Sequence, residues 1–289
     1  INSVEDYTFI GQIMNYELMR PMFEAFVVNK NTNATGVIQW MLNSAWPSLY
    51  WQLYDYYKIP TAAYYSVKKA NQTQQLIYDY VNKKVYAVNE GLNNERIKAK
   101  MMIYDLKGKQ VSINGKIVDL PAYQPIALFD VPVPDDNQFL ILQILDNEGN
   151  VKSDNVYTLS ANDDIYDWAK SSWFQSPISK AADFNNLSSM LDAKCKLLAT
   201  AGKVKNERFI EVEVENLSSV VAFFVRLSIK NDKDDLITPL FWQDNYITIT
   251  PNGKKTIKCI IPELTDVSGK VTVSVSGWNV NEEKINLFL

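Results

Sequence analysis

Two tryptophans, an asparagine and an aspartate are the side chains in this sequence that are best suited to binding a ligand. Trp40, Asn43 and Trp46 lie within one short segment, and Asp55 follows a few residues later. A flat indole face packs against the axial C–H groups of a pyranose ring, and its N–H stays free to donate a hydrogen bond. Asn43 can donate to a sugar hydroxyl, and Asp55 can take a similar role. We therefore interpret Trp40, Asn43, Trp46 and Asp55 as candidate carbohydrate-binding residues.

A structural interpretation of the same segment stays open. On composition alone, residues 36–47 form a buried strand that leads into a loop, and tryptophan usually packs inside a protein. Asn43 fits a loop-stabilising role equally well. The ligand-binding interpretation depends on position, because residues at the carboxyl ends of parallel barrel strands project into active sites.

Other kinds of site chemistry find little support in this sequence. It contains no histidine, which excludes Ser-His and Cys-His nucleophilic pairs and removes the commonest zinc ligand. Cys195 and Cys259 are too few for a metal cluster, and we interpret them as small buried apolar residues. The acidic run at residues 231–235 lacks the spaced ligands and terminal glutamate of a calcium loop, so we expect a hairpin tip. We predict no cofactor and no metal.

Composition limits the range of partners. The chain has 289 residues, of which 47% are hydrophobic and 21% charged, and a net charge of −4. These values are typical of a globular protein of about two domains. Without a basic stripe we expect no nucleic-acid partner. The apolar runs are far shorter than the ~20 residues of a membrane helix, so we expect no membrane partner.

Hydrophobic periodicity predicts the elements that must position the candidate residues. Helical spacing over residues 7–27 and 61–75 predicts two helices, and the apolar run at 35–42 predicts a buried strand between them. Residues 51–57 are aromatic and ambiguous. Further along, alternation with turn signals predicts many short strands, as in β-sandwiches. We expect four regions: a helix-strand-helix segment (1–75), a sandwich (76–160), an aromatic connector packed against its neighbours (161–200), and a second sandwich (201–289).

The candidate segment resembles the eighth strand of the catalytic barrel in glycoside hydrolase family 2. That strand ends in a W-x-L-N-x-x-W-P pattern in the β-mannosidase and exo-β-glucosaminidase branches. Trp40, Leu42, Asn43, Trp46 and Pro47 match the pattern. Further similarities extend the resemblance over essentially the whole chain, at residues 12–25, 51–57, 63–70, 167–184, 224–227 and 244–246.

The resemblance implies a mainly β fold: two immunoglobulin-like β-sandwiches preceded by an α-β-α remnant of the end of a TIM (β/α)8 barrel. It also implies a retaining, exo-acting β-glycosidase of the exo-β-glucosaminidase type. Its partners would be a β-linked oligosaccharide and the remainder of the barrel, and it would be periplasmic or secreted from a bacterium. In this family two glutamates at ~5 Å act as acid/base and nucleophile, on the fourth and seventh barrel strands. Both would precede Ile1.

No glutamate inside the chain is a good catalytic candidate. Glu17 and Glu24 lie on a predicted helix and Glu5 in the segment before it. The glutamates of 211–215 alternate along a solvent-facing strand. We therefore expect this chain alone to be inactive. Two alternatives stay open: a non-catalytic carbohydrate-binding or structural module that uses Trp242 or Trp278, and an enzyme acting on β-mannosides.

Overall fold

The computed structural model describes residues 3–32, 35–48 and 51–289. They divide into two compact units, one formed by residues 1–72 together with 191–289, the other by residues 73–190. The fold is mainly β, with two immunoglobulin-like sandwiches and an N-terminal helical remnant of a barrel, as predicted. Within the described part of the chain, no helix is long and apolar enough to cross a membrane.

The first helix, α1, spans Val4–Asn29 and is slightly longer than predicted. Ser3 caps it, because its Oγ accepts a hydrogen bond from the Asp6 N–H at 3.0 Å. Glu5 and Asp6 place negative charge on the first turn, where it complements the helix dipole. These signals explain why the helix begins directly after the serine.

The second helix, α2, spans Ala62–Ala70 and ends earlier than the predicted residue 75. Its first turn is capped by α1, because Gln12 Oε1 accepts a hydrogen bond from the Ala62 N–H at 2.7 Å. At the other end, Asn71 Nδ2 donates to the Val67 carbonyl at 2.7 Å. This side-chain bond caps the last turn and competes with continuation of the helix.

The strand that we predicted at residues 35–42 is wrong, because the described residues there have no strand conformation. A single parallel bridge joins Asn43 to Tyr54. A buried parallel strand needs a hydrogen-bonded neighbour on each side. The described residues supply only this one contact, so the segment is irregular.

The two helices share a small apolar core. On α1 the buried face includes Tyr16 and the charged residues Arg20 and Glu24. The opposite face is apolar and exposed, with Met14, Leu18 and Met22 spaced four residues apart. The core between the helices and the loop before α2 consists of Met19, Phe23, Leu53, Ala63, Val67 and Ala70.

Residues 73–190 contain the first sandwich. One antiparallel sheet has the order β1-β2-β5 and the other β4-β3-β6-β7. The strands are β1 (Gln74–Asp79), β2 (Lys84–Asn89), β3 (Glu95–Asp105), β4 (Gln110–Leu120), β5 (Ile126–Asp130), β6 (Gln138–Leu145) and β7 (Val151–Leu159). Both sheets contribute to one core that includes Leu76, Ile103, Leu140 and Tyr157. Burial, with the nearby charges of Asp163 and Asp79, raises the pKa of Tyr78 to about 12.

A small hairpin follows in the same unit. Its strands are β8 (Ile165–Tyr166) and β9 (Ile178–Lys180). After it, Asn137 Nδ2 donates to the Asp183 carbonyl at 2.8 Å, which holds that part of the connector to the sandwich. The loop of the hairpin, however, exposes Trp173 and Phe174 almost completely. Our expectation that the connector's aromatic residues pack against neighbouring domains is therefore wrong for this loop.

Residues 191–289 contain the second sandwich. Its sheets have the orders β10-β11-β15-β13 and β14-β12-β16-β17. The strands are β10 (Cys195–Val204), β11 (Glu207–Asn216), β12 (Ala222–Lys230), β13 (Phe241–Trp242), β14 (Ile247–Ile249), β15 (Lys254–Ile261), β16 (Lys270–Gly277) and β17 (Val280–Phe288). Along β11 the valines and isoleucine are buried while the glutamates lie on the outer face, as the alternation predicted.

A β-bulge in this sandwich attaches it to α1. The register of β12 against β14 shifts between Ala222 and Val225, and Phe224 within the bulge has a φ of +52°. A bulge can redirect a side chain out of the normal alternation. The Phe224 ring makes edge-to-face contacts with Phe9 and Tyr16 of α1, with ring centroids 5.7 and 5.6 Å away.

Charged groups make the matching attachment for α2. Lys69 Nζ lies 2.7 Å from Asp244 Oδ2, and both side chains are largely buried. The neighbouring Lys68 Nζ donates to the carbonyls of Trp242 and Gln243, at 3.2 and 2.8 Å. The helical remnant therefore packs on the second sandwich through an aromatic cluster and an ion pair.

Candidate functional site

The candidate loop, residues 35–48, presents both of its tryptophans to solvent. The side chain of Trp40 is 74% exposed and that of Trp46 is 69% exposed. Large indoles seldom remain so exposed unless they contact another molecule or another part of a protein. The structural interpretation, in which both rings pack inside the chain, is therefore wrong.

A short set of backbone contacts fixes the end of this loop. The Tyr54 N–H donates to the Leu42 carbonyl at 3.0 Å, and the parallel bridge places Asn43 beside Tyr54. The Tyr54 ring packs against that of Tyr64 on α2, with centroids 5.0 Å apart. Burial and the hydrogen bond with Tyr64 raise the pKa of Tyr54 to about 12. The backbone of Asn43 is thus tied to Tyr54, whose ring packs on α2.

Asp55 follows directly after this contact, and its carboxylate stabilises a turn. The Ile59 N–H donates to Asp55 Oδ1 at 2.8 Å, and the Asp55 N–H donates to the Ile59 carbonyl at 3.1 Å. The backbone bridge therefore brings Asn43 and Asp55 into one region of the chain. One carboxylate oxygen of Asp55 accepts the hydrogen bond that closes the turn, so this residue helps to position the loop.

The glutamates of α1 form an internal cluster with Arg20. Arg20 Nη2 lies 2.7 Å from Glu17 Oε2, and its Nε lies 3.9 Å from Glu24 Oε1. Arg20 and Glu24 are almost completely buried, so neither is accessible to a substrate. Burial raises the pKa of Glu17, while the positive charge of Arg20 opposes that change. The cluster has the geometry of a structural ion network.

Two polar motifs from the sequence have structural roles. Asn245 accepts a hydrogen bond from the Leu227 N–H and donates one to the Leu227 carbonyl, at 2.8 and 2.9 Å. The acidic run closes a turn in which Asn231 Oδ1 accepts from the Lys233 and Asp235 N–H groups, both at 2.9 Å. Within the described ranges, no cluster of acidic, cysteine or histidine side chains is suited to a metal ion.

The tryptophans invoked for the binding-module alternative are poorly placed. The side chain of Trp242 is only 7% exposed and packs inside the second sandwich. Trp278 is half-buried, and its backbone N–H donates to the Phe223 carbonyl at 2.9 Å. Neither indole presents an open face comparable to those of Trp40 and Trp46.

The structure also reveals residues that the sequence analysis missed. Tyr54 joins the loop to the helices, and Gln12 caps α2 from fifty residues away. The aromatic run at 51–57 was a signal for the first of these, although it was ambiguous between strand and loop. No local signal identifies a glutamine as the cap of a distant helix.

Comparison with known proteins finds carbohydrate-active enzymes that are similar to this chain. Residues 173–280 match the family model of the exo-β-D-glucosaminidase Ig-fold domain. The exo-β-D-glucosaminidase of Arthroderma benhamiae is 34% identical over 294 residues, covering 98% of this chain and 32% of the relative. A mannosylglycoprotein endo-β-mannosidase of Lilium longiflorum is 24% identical, covering 97% of this chain and 34% of the relative.

A solved structure agrees with these sequence matches. The exo-chitosanase of Amycolatopsis orientalis, in complex with PNP-β-D-glucosamine, superposes with a TM-score of 0.87 at 27% identity. The match covers 96% of this chain and 34% of that chain. These matches are consistent with the resemblance of this chain to the C-terminal part of a glycoside hydrolase family 2 enzyme. Two further relatives, from Hypocrea jecorina and Amycolatopsis orientalis, are also named exo-β-D-glucosaminidase and are 31% and 30% identical to this chain. The chain spans about a third of the length of these relatives.

Proposed function

We propose that this chain is part of a retaining, exo-acting β-glycosidase that removes terminal glucosamine residues from β-linked oligosaccharides. In this proposal residues 1–75 are the end of the catalytic barrel. Residues 76–160 and 201–289 are accessory sandwiches, and 161–200 connect them. Trp40, Asn43, Trp46 and Asp55 line the sugar site, and the acid/base and nucleophile lie outside the chain.

The observation that carries this proposal is the exposure of Trp40 and Trp46 on one backbone-anchored loop. Each indole offers an apolar face and an N–H donor, and a pyranose ring presents matching C–H groups and hydroxyls. The tie from Leu42 to Tyr54 fixes the end of the loop before any ligand arrives. Less entropy is then lost when a sugar binds.

The chemistry of hydrolysis requires two carboxyl groups in different environments, one protonated and one ionised. Glu17 and Glu24 both face Arg20 and do not form such a pair around an open site. We therefore assign to this chain the binding and support of the sugar, and to the remainder of the barrel the chemical step.

The outer face of α1 supports the remainder of the barrel as the neighbour of this segment. Met14, Leu18, Met22 and Phe26 form an exposed apolar stripe at four-residue spacing. An amphipathic helix normally buries such a stripe against other elements. In a closed barrel the adjacent helix would cover it.

The names of two similar relatives, both exo-β-D-glucosaminidases, support glucosamine as the sugar. The β-mannoside alternative has the weaker support of the 24% identical endo-β-mannosidase. Initial rates with p-nitrophenyl β-D-glucosaminide and β-D-mannoside separate the two. We expect the enzyme that contains this chain to prefer the glucosaminide, and a preference for the mannoside would reverse the assignment.

The role of the tryptophans is tested in the same enzyme. We expect Trp40→Ala and Trp46→Ala each to lower kcat/KM by about tenfold or more, because each removes a stacking contact of ~1.4 kcal/mol. Phe241→Ala, which truncates a half-exposed ring on β13, is the matched control and should change little. The isolated chain should release no p-nitrophenol. Turnover by the chain alone, or full activity of Trp40→Ala, would contradict the proposal.

A further inference from the structure

The loop of the β8–β9 hairpin carries three aromatic side chains that the proposed sugar site does not use. Trp168 is 72% exposed, Trp173 is 94% exposed and Phe174 is 93% exposed. Trp173 and Phe174 are the most exposed aromatic side chains of the described chain. Such a concentration of bare aromatic surface is characteristic of a surface that binds another molecule.

The backbone of this loop is well fixed by hydrogen bonds. The Asp167 N–H donates to the Pro177 carbonyl and the Ser172 N–H to the Gln175 carbonyl, both at 2.8 Å. The Phe174 N–H donates to Ser172 Oγ at 3.3 Å. The rings therefore project from an ordered support, which lowers the entropy that binding would cost.

The composition of the loop separates a carbohydrate from an apolar protein surface as its ligand. Serines, a lysine and a glutamine lie among the aromatic residues, and the loop contains no leucine, isoleucine, valine or methionine between residues 167 and 177. Trp168 also packs on Tyr166, with centroids 5.3 Å apart and planes inclined by 30°. A pyranose needs this combination of flat apolar faces and nearby polar groups.

The charge around the loop favours a cationic sugar. Residues 163–183 contain four aspartates, at positions 163, 164, 167 and 183, and two lysines, at positions 170 and 180. Asp163 pairs with Lys83 at 2.6 Å and Asp167 with Lys170 at 2.8 Å, so a smaller excess of negative charge comes from Asp164 and Asp183 against Lys180. A protonated amino group is attracted to this excess of negative charge and also to the faces of the indole rings.

We propose that the aromatic hairpin, defined as residues 165–180, binds a β-linked glucosamine polymer through Trp168, Trp173 and Phe174. The class of sugar rests on the proposed function, whereas the binding surface rests on the hairpin itself. The hairpin would hold a long polymer near the enzyme while its chain end is being processed.

The test is a depletion assay of the 289-residue chain on insoluble chitosan. We compare the unsubstituted chain with the double variant Trp173→Ala/Phe174→Ala. We expect the double variant to bind at least about tenfold more weakly, the effect of losing ~1.4 kcal/mol of contact energy. Both substitutions remove exposed side chains, so its unfolding midpoint should be unchanged. Phe288→Ala truncates another highly exposed ring outside the hairpin and should bind normally.

Two further measurements complete the test. We expect binding to chitosan to weaken as the salt concentration rises, and binding to fully N-acetylated chitin to be several-fold weaker, since its nitrogen carries no charge. Failure of the unsubstituted chain to bind chitosan would overturn the inference. Binding of the double variant to chitosan as tight as that of the unsubstituted chain would also overturn it. If that variant binds chitosan normally but no longer associates with the rest of the enzyme, the hairpin is a protein contact and the inference is likewise wrong.

These outcomes are independent of the proposed function. If the enzyme hydrolyses glucosaminides but the hairpin variant retains chitosan, only the inference fails. If the hairpin binds chitosan but the enzyme prefers another sugar, only the proposed function fails.

Discussion

Replacing Phe224 with alanine should selectively loosen α1 from the second sandwich. The ring is almost completely buried and contacts Phe9 and Tyr16 of α1 edge to face. Truncating a buried phenylalanine costs about 3–5 kcal/mol in total. The two edge-to-face pairs supply about 1–3 kcal/mol of that cost, at ~0.5–1.5 kcal/mol each. The alanine keeps the positive φ of the bulge, so backbone strain does not change.

Hydrogen exchange measures this loss at the helix itself. A loss of about 1–3 kcal/mol raises the opening constant of the α1 amides by about 5- to 150-fold. Amides of β3 and β6, in the other unit, should be unchanged. Phe241→Ala is the control, because its ring is half-exposed and contributes less to the core. Unchanged exchange in α1 of the Phe224→Ala protein would refute the assignment of this ring as the attachment point.

Three further predictions follow from single contacts. Lys69→Met should lower the free energy of unfolding by about 2–3 kcal/mol, since it leaves the Asp244 carboxylate partly buried without its cation. Urea denaturation measures this loss, and the double variant Lys69→Met/Asp244→Leu should recover part of it. Asn245→Ala should cost about 1–3 kcal/mol, because both polar groups of the Leu227 backbone lose their partner, and a thermal midpoint equal to that of the unsubstituted chain would be the wrong outcome. The raised pKa of Tyr78 means that folding favours the neutral form of its phenol. The stability that this preference contributes is present below about pH 10 and is lost as the pH rises through about 12. In alkaline denaturation, a Tyr78→Phe protein should therefore lose less stability over that range.

The sequence predicts the strands of the second sandwich well because their signal is local. In β11 each buried residue alternates with a glutamate, and a strand places successive side chains on opposite faces. The bulge that redirects Phe224 is not predictable in this way. It arises from the pairing of β12 with β14, whose residues lie more than twenty positions away.

The same distinction applies to the candidate site. The spacing of Trp40 and Trp46 identified the loop, and the structure shows both indoles exposed. The strand predicted there did not form because parallel pairing depends on other segments. The burial of Arg20 was also missed, since charged residues are expected on the outer face of a helix. Only the arrangement of helix against sandwich reveals that its inner face carries the charges.

The contact between Lys69 and Asp244 has a consequence for the order of folding during synthesis. The two residues are separated by 175 positions, and residues 73–190 form a compact unit of their own between them. Domains generally fold as units as they leave the ribosome. The sandwich of residues 73–190 can therefore fold before the second sandwich, on which the helices pack, has been synthesised. Phe9 and Tyr16 of α1 remain without the Phe224 ring, and Lys69 of α2 remains without Asp244, until residue 244 has been made. During this interval the nascent chain depends most on chaperones.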